Sequence, residues 1–476
     1  MSFYDAFALL VSLQVGSGVF SSPSQVNNHS PSPGVSLVIW IVCGVIAWAG
    51  AASFAELGAA MPINGGMQEY LNDIYGSYMA FLASWIWIFA VKPSSMAILS
   101  IIFAKYWIEV FADAAHQDAY LLNKFIALAA LATIILFNAI SMRATSRMAS
   151  LFLFMKLFTV FLLIVCCLVF VLFGLHLGTD QPNVDWKNRK WFAVQEMVPD
   201  TSSIDWNTAT TWAKVGEITM ALYAGLWAYA GWDNANMVAG EMQNAAKELP
   251  AAIHTAVPAV ITCFLLANLS YYILIPWDEI GKSDTVAEMA GQKVLGKFGS
   301  VVFALLVSAA CLGSININVF TTARLTASAV DKRYLPQQLK ENVDEHETQP
   351  METTERLESA QRRKSLLRVA VTSLFGEGPF WRTPIKSMLF NGATTTIYIL
   401  LGTFGALVTF IGIAEYVFFF ITVLGLLKLR LKRPLLVRPY KPFVGTPLIF
   451  AVTSLILVIR GALAAPIQSL LIALLL

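Results

Sequence analysis

Long apolar runs alternate with short polar stretches along most of this chain. They lie near residues 3–27, 34–57, 75–107, 120–140, 149–175, 214–239, 251–274, 296–325, 385–404, 408–429, 446–460 and 463–476. Crossing a bilayer takes about 20 apolar residues in a helix. The pattern therefore predicts an all-α polytopic membrane protein with about 12 transmembrane helices. The last run falls short of that length and reads as truncated or non-crossing. Two runs are interrupted. Gly16-Ser17-Gly18 breaks the first, and Ala228-Tyr229-Ala230-Gly231 breaks the sixth. Lipid offers no hydrogen-bond partners, so a spanning helix satisfies its backbone internally. Breaks at membrane depth are tolerated around a protected polar cavity. Two of them five runs apart predict a five-plus-five inverted repeat with broken helices 1 and 6 and a binding site at the breaks.

This frame divides the chain into a first repeat (1–175), an external loop (176–213), a second repeat (214–430) and two closing spans (431–476). The second repeat includes a polar insertion at 331–384, rich in Glu, Gln and Arg, whose low apolar content predicts disorder. Within it, Arg362-Arg363-Lys364-Ser365 has the pattern favoured by basophilic kinases. Lys and Arg set the orientation. With the N-terminus cytoplasmic, about nineteen fall in inside loops, including Lys428 to Arg433, and about ten outside. The chain opens almost directly on a helix, which suggests an N-terminal tail absent from this sequence.

Composition agrees: 57% of residues are hydrophobic and 13% charged, a balance foreign to soluble proteins. The net charge of +2 includes no nucleic-acid patch. The five cysteines, Cys43, Cys166, Cys167, Cys263 and Cys311, lie inside apolar runs and read as small buried residues. Histidines 29, 116, 176, 254 and 346 are scattered without metal-ligand spacing. No catalytic triad or phosphate loop is present, so no metal, cofactor or enzymatic chemistry is expected. Asn28-His29-Ser30 fits a glycosylation sequon, but Pro31 follows and the site hugs the membrane.

At the first break, an unwound helix would free the N–H groups of Ser17, Gly18 and Val19 for a carboxylate. The carbonyls of Gln14 and Val15 would face an ammonium. Trp227 and Ala228 would add carbonyls at the sixth-span break, with Ala230 and Gly231 completing it. Backbone would then bind the shared part of an α-amino acid, and Trp227 would set side-chain selectivity. Close packing of helices through small residues remains the alternative. Lys156 stands inside an apolar run, either as a functional charge or snorkelling to the interface. Asp233, Asn316 and Asn318 line the cavity or bridge helices. Tyr229 and Trp232 gate or pack. Glu56 and Glu241 sit near cytoplasmic helix ends as gate or structural partners.

Several ordered stretches carry a resemblance. They are Gly16-Ser17-Gly18-Val19-Phe20, Ala55-Glu56-Leu57-Gly58, Asn64-Gly65-Gly66, Lys92-Pro93-Ser94-Ser95, Gly231-Trp232-Asp233-Asn234-Ala235-Asn236, Gly313-Ser314-Ile315-Asn316 and Lys432-Arg433-Pro434. Nearly end to end, the chain resembles the L-type amino acid transporters of the amino acid–polyamine–organocation superfamily. The resemblance implies a twelve-helix fold, alternating access and L-amino acid substrates, with neutral or large neutral side chains expected. A lysine at position 156 occupies the place that sodium takes in coupled relatives, implying sodium-independent exchange or proton-linked uptake in the plasma membrane. A receptor that keeps the fold while sensing amino acids is the alternative; a channel is disfavoured. Lys92 stands where the family usually has Arg, losing the bidentate fork. Ala230-Gly231 replaces Gly-Gly. Animal members bond a glycoprotein through a cysteine after span three. Here Phe111 to His116 holds none, so no disulfide-linked heavy chain is expected.

Overall fold

The computed structural model describes residues 3–63, 65–111, 116–140, 142–174, 183, 185–195, 204–242, 244–336, 339 and 385–475. The insertion at 340–384, with the Arg362–Ser365 motif, lies outside them, as do Asn64 and the segment 112–115.

The described residues form helices and connections, with no strand among them. The helices are α1 (Phe3–Gln14), α2 (Gly18–Asn28), α3 (Pro33–Ala60), α4 (Met67–Tyr75), α5 (Ser77–Ile86), α6 (Lys92–Phe111), α7 (His116–Ile140) and α8 (Met142–Phe173). They continue with α9 (Thr211–Ala228), α10 (Ala245–Leu274), α11 (Trp277–Ile280), α12 (Val286–Asp331), α13 (Ile385–Leu401), α14 (Phe404–Lys432), α15 (Gly445–Ala464) and α16 (Pro466–Leu475). A π-helical turn, Trp87–Val91, joins α5 to α6, and a 3₁₀ stretch, Trp232–Glu241, follows α9.

Among the described residues, eight helices are long and apolar enough to cross a membrane. A ninth crossing is made by α1 and α2 if that bent pair is one span, its axes differing by 45°. The predicted run 214–239 is not one helix, because α9 stops at Ala228 and the chain tightens to 3₁₀ geometry beyond Gly231. The final helix has 10 residues, too few to cross. In α12 the φ of Gly296 is 64°, so the predicted eighth span is preceded by a helical stretch set at an angle to it. Two helix starts are capped locally. Ser32 Oγ accepts from Val35 N–H with Pro33 at the first helical position, and Thr210 Oγ1 accepts from Ala213 N–H at 3.3 Å.

Packing gathers α3 with α10, α12 with α6 and α8, and α14 with α15. The outer faces of α7 and α8 are apolar and bare: Phe125 is 72% exposed and Phe154 66%. Such a surface suits lipid. At one end, Gly34 N–H donates to Trp191 O, Gln195 N–H to Pro31 O and Arg189 to Tyr272 O, so residues 185–195 cap the starts and ends of α3 and α10. At that same end Asp284 accepts from Ser24 Oγ at 2.7 Å, from Gln25 Nε2 at 3.0 Å and from Lys105. Tyr106 also donates to the carbonyl of Phe20 at 3.0 Å, fixing α2 against α6.

The opposite end is rich in arginine. Glu56, fully buried in α3, accepts from Nε and Nη2 of Arg430 and lies 3.4 Å from Arg438. Arg430 also donates to Pro442 O, and Arg438 to the carbonyls of Leu429 and Arg433. Asp73 pairs with Arg433 at 2.8 Å, and Glu69 with Lys332. These bonds lock α3, α4 and the chain after α14 together.

Candidate functional site

The two breaks meet. A β-carbon built on Gly18 would lie 2.5 Å from the Cα of Ala228, and one on Gly231 would lie 3.0 Å from the carbonyl oxygen of Leu13. Backbone thus touches backbone across the two interrupted helices, which only glycine permits at these points. Gly231 also holds a left-handed conformation, with φ of 101°. Gly16 is less crowded, its nearest neighbour outside the break being Ser314 Oγ at 3.9 Å.

Local hydrogen bonding follows from the interruption. Helix α2 restarts after Ser17, whose side chain gives no cap. The N–H groups of Phe20 and Ser21 donate to the Ser17 carbonyl at 3.0 and 3.2 Å, which leaves those of Gly18 and Val19 as the first-turn donors without an intrahelical acceptor. Upstream, the Gln14 carbonyl accepts from Gly16 N–H at 2.8 Å, and the Trp227 carbonyl from Ala230 N–H at 3.2 Å. Those two expected acceptors are therefore partly engaged, though a carbonyl keeps a second lone pair. Unpartnered buried polar atoms on residues of the breaks are both amide atoms of Gln14, Ser17 Oγ and Trp227 Nε1. Buried polar groups without partners are costly, and others lie away from the breaks, among them Trp40 Nε1, both amide atoms of Gln68 and Tyr271 Oη.

A cavity of about 10 Å³ lies between the sixth-span break and α14. Its walls include Trp227, Gly231, Trp232, Asp233, Glu415 and Phe419. That volume suits one water molecule and is far below the roughly 300 Å³ of a small-ligand pocket. The cavity as it stands is too small to hold an amino acid.

The remaining candidates take distinct places. Trp232 packs on Phe419 at 4.8 Å with the rings tilted by 44°, and meets Phe54 edge-on at 5.1 Å. Tyr229 turns the other way, packing on Phe264 at 4.9 Å and Trp40 at 6.0 Å. Val15, Val19 and Ala228 are buried against the core. Asn316 is joined to Asn138 of α7, whose Nδ2 donates to it at 2.8 Å, so it ties two helices rather than lining the cavity. Asn318 donates to the Ser314 carbonyl of its own helix. Lys156 is 2% exposed, which excludes snorkelling. Its neighbour Cys311 also adjoins Ser17, linking α8, α12 and the first break. Glu56 serves as the buried anchor already described.

Two features escape a linear reading. The π turn Trp87–Val91 immediately precedes Lys92 and shifts where its side chain points; such turns cluster at functional sites. Tyr398 donates to the Phe89 carbonyl that the turn exposes. Glu415 faces Asp233 across the cavity. It was detectable as a lone carboxylate in Ile413-Ala414-Glu415-Tyr416, by the rule that singles out Lys156.

Over residues 1–471 the chain matches the family described as Amino acid permease. It is 30% identical to b(0,+)-type amino acid transporter 1 of Mus musculus, an alignment covering 97% of this chain and 82% of that protein. It is 27% identical to Asc-type amino acid transporter 1 of Homo sapiens, covering 97% and 77%. The human cystine/glutamate transporter is 26% identical over 97% and 80%. None of these is an enzyme by name. The chain therefore belongs to the amino acid permease family of the amino acid–polyamine–organocation superfamily, as an integral multi-pass membrane protein of amino acid transport.

Proposed function

We infer that this permease carries L-amino acids with neutral, mainly large side chains by sodium-independent alternating access. The observation that supports this best is the contact of the two breaks, Gly18 on Ala228 and Gly231 on Leu13, among unpartnered polar atoms. The carboxylate would bind the first-turn N–H groups of α2, where the helix dipole favours negative charge. The ammonium would bind the carbonyls of Val15 and Ala228 with the free lone pairs at Gln14 and Trp227. The side chain would extend towards Trp227, Trp232 and Phe419. The architecture behind this reading is twelve spans in a five-plus-five repeat. Its arginine-rich end is cytoplasmic in a plasma membrane, and it has no disulfide-linked heavy chain. Counterflow in proteoliposomes tests the site. Leucine and phenylalanine should exchange, and their amino alcohols, lacking the carboxylate, should not compete. Strong inhibition by the alcohols would remove the carboxylate site.

Trp227 is half-buried at the cavity wall and sets the space left for the side chain. Trp227→Ala should shift preference towards bulkier substrates, read as the ratio of tryptophan to alanine uptake rising by about tenfold, or 1.4 kcal/mol. An unchanged ratio would place this indole outside the selectivity wall.

Lys156 supplies a fixed positive charge beside Cys311 and Ser17. Replacing sodium by choline should leave uptake unaltered, whereas Lys156→Ala should slow it by at least about tenfold. Steep sodium dependence of the unsubstituted protein would refute this assignment.

A further inference from the structure

Two carboxylates, Asp233 and Glu415 of α14, meet at the sixth-span break, within electrostatic reach of Lys92 of α6. Asp233 and Glu415 line one cavity, and Lys92 is the positive charge that acts on both carboxylates. Among the described residues neither carboxylate belongs to a close ion pair, unlike Glu56 or Asp284. The other titratable groups facing them are Tyr223 of α9, Tyr416 of α14 and Cys43 of α3. All three are neutral in their ordinary form. The count of formal charges is therefore one positive and two negative.

The enclosure makes that surplus matter. The cavity admits about one water, and Trp232, Phe419 and Phe450 pack around it. An unbalanced charge in such a compartment is expensive. Two species can cancel it: a proton shared between the carboxylates, or the cationic end of a substrate side chain. Both would sit in the same place, because the cavity lies on the side of the break where the side chain of a bound amino acid extends.

We propose that Asp233 and Glu415 form a site for one positive charge, filled by a proton when the substrate is neutral and by the substrate's own ammonium or guanidinium when it is basic. This rests on the transport reading above and deepens it. The closed complex then carries the same net charge with either class of amino acid. The proton is taken from water on the loading side as the cavity closes and returned to water on the other side as it opens. Neutral amino acids would thus be driven by a proton gradient, and basic ones would not.

The test uses the purified full chain in proteoliposomes, with leucine and lysine as probes. Both should show counterflow. An inward proton gradient of about one pH unit should raise leucine accumulation several-fold, up to about tenfold, while lysine accumulation stays flat. Glu415→Gln and Asp233→Asn should each bring the ratio of leucine uptake with and without the gradient to one. Glu415→Asp, which keeps the carboxylate, should restore part of the response. A gradient that drives both substrates equally, or neither, overturns the proposal without recourse to any variant. So does a full leucine response in both Glu415→Gln and Asp233→Asn. Counterflow without selective proton drive removes this inference alone; absence of counterflow for every amino acid removes the transport reading and this one with it.

Discussion

Gly18→Val should abolish amino acid uptake, and Gly18→Ala should already reduce it by at least about tenfold. The cause is steric and lies in backbone. Any β-carbon at this position lands 2.5 Å from the Cα of Ala228, a distance that side-chain rotation cannot relieve. Either α2 or the end of α9 must move, and both carry the ligand-facing groups of the site. Gly16 provides the contrast. Its built β-carbon meets Ser314 Oγ at 3.9 Å, an ordinary contact, so Gly16→Ala should reduce uptake far less. Initial counterflow rates, normalised to protein eluting as a monodisperse peak in detergent, make the comparison. Equal rates for Gly18→Ala and the unsubstituted chain would show that the breaks are not in contact in the working protein.

Glu56→Ala should produce the largest loss of stability of any single change at the arginine-rich end. Glu56 is fully buried, and the side chains of Arg430 and Arg438 are 8% exposed. Removing the carboxylate strands two guanidinium groups in a cavity of their own making. Breaking one partner of a buried pair costs about 3–5 kcal/mol. The variant should express poorly and unfold at markedly lower temperature, as read by tryptophan fluorescence in detergent. Glu56→Gln should be intermediate, since it keeps one acceptor but no charge. A change within about 0.5 kcal/mol, the range of exposed positions, would mean that water reaches the arginines and screens them.

The meeting of the two breaks was legible because glycine spacing is a local signal. Gly16, Gly18 and Gly231 stand out within apolar runs, and a broken helix in lipid has few physical excuses. Trp227 and Asp233 followed from their nearness to the break in sequence. What stayed hidden depends on contacts between distant residues. Glu415 faces Asp233 only because α14 packs beside α9 and the 3₁₀ stretch, which no periodicity encodes. Glu56 meets Arg430 across 374 positions. Asn316 had the composition of a cavity residue, yet its amide found Asn138 on α7 instead. The collapse of the predicted sixth span into 3₁₀ geometry after Gly231 likewise reflects tertiary packing against α3 and α10, since Trp232 to Asn236 carries no strong helix breaker.

The bonds around Asp284 carry a kinetic consequence. Helix α2 is pinned at its near end by the contact of Gly18 with Ala228, and at its far end by one carboxylate that serves Ser24, Gln25 and Lys105 together. Asp284 does not hold that end alone: Asn27 donates to Trp277 O at 3.3 Å, Asn28 to Gly281 O at 3.0 Å, and His29 lies 2.6 Å from Glu217. When Asp284 departs, the serine, the amide and the ammonium lose their partner at once, and water has to take over all three positions. The amides of Asn27 and Asn28 still hold the end of the helix in place. Release at that end should therefore proceed in at least two steps, with the loss of Asp284 separable from the loss of the last turn.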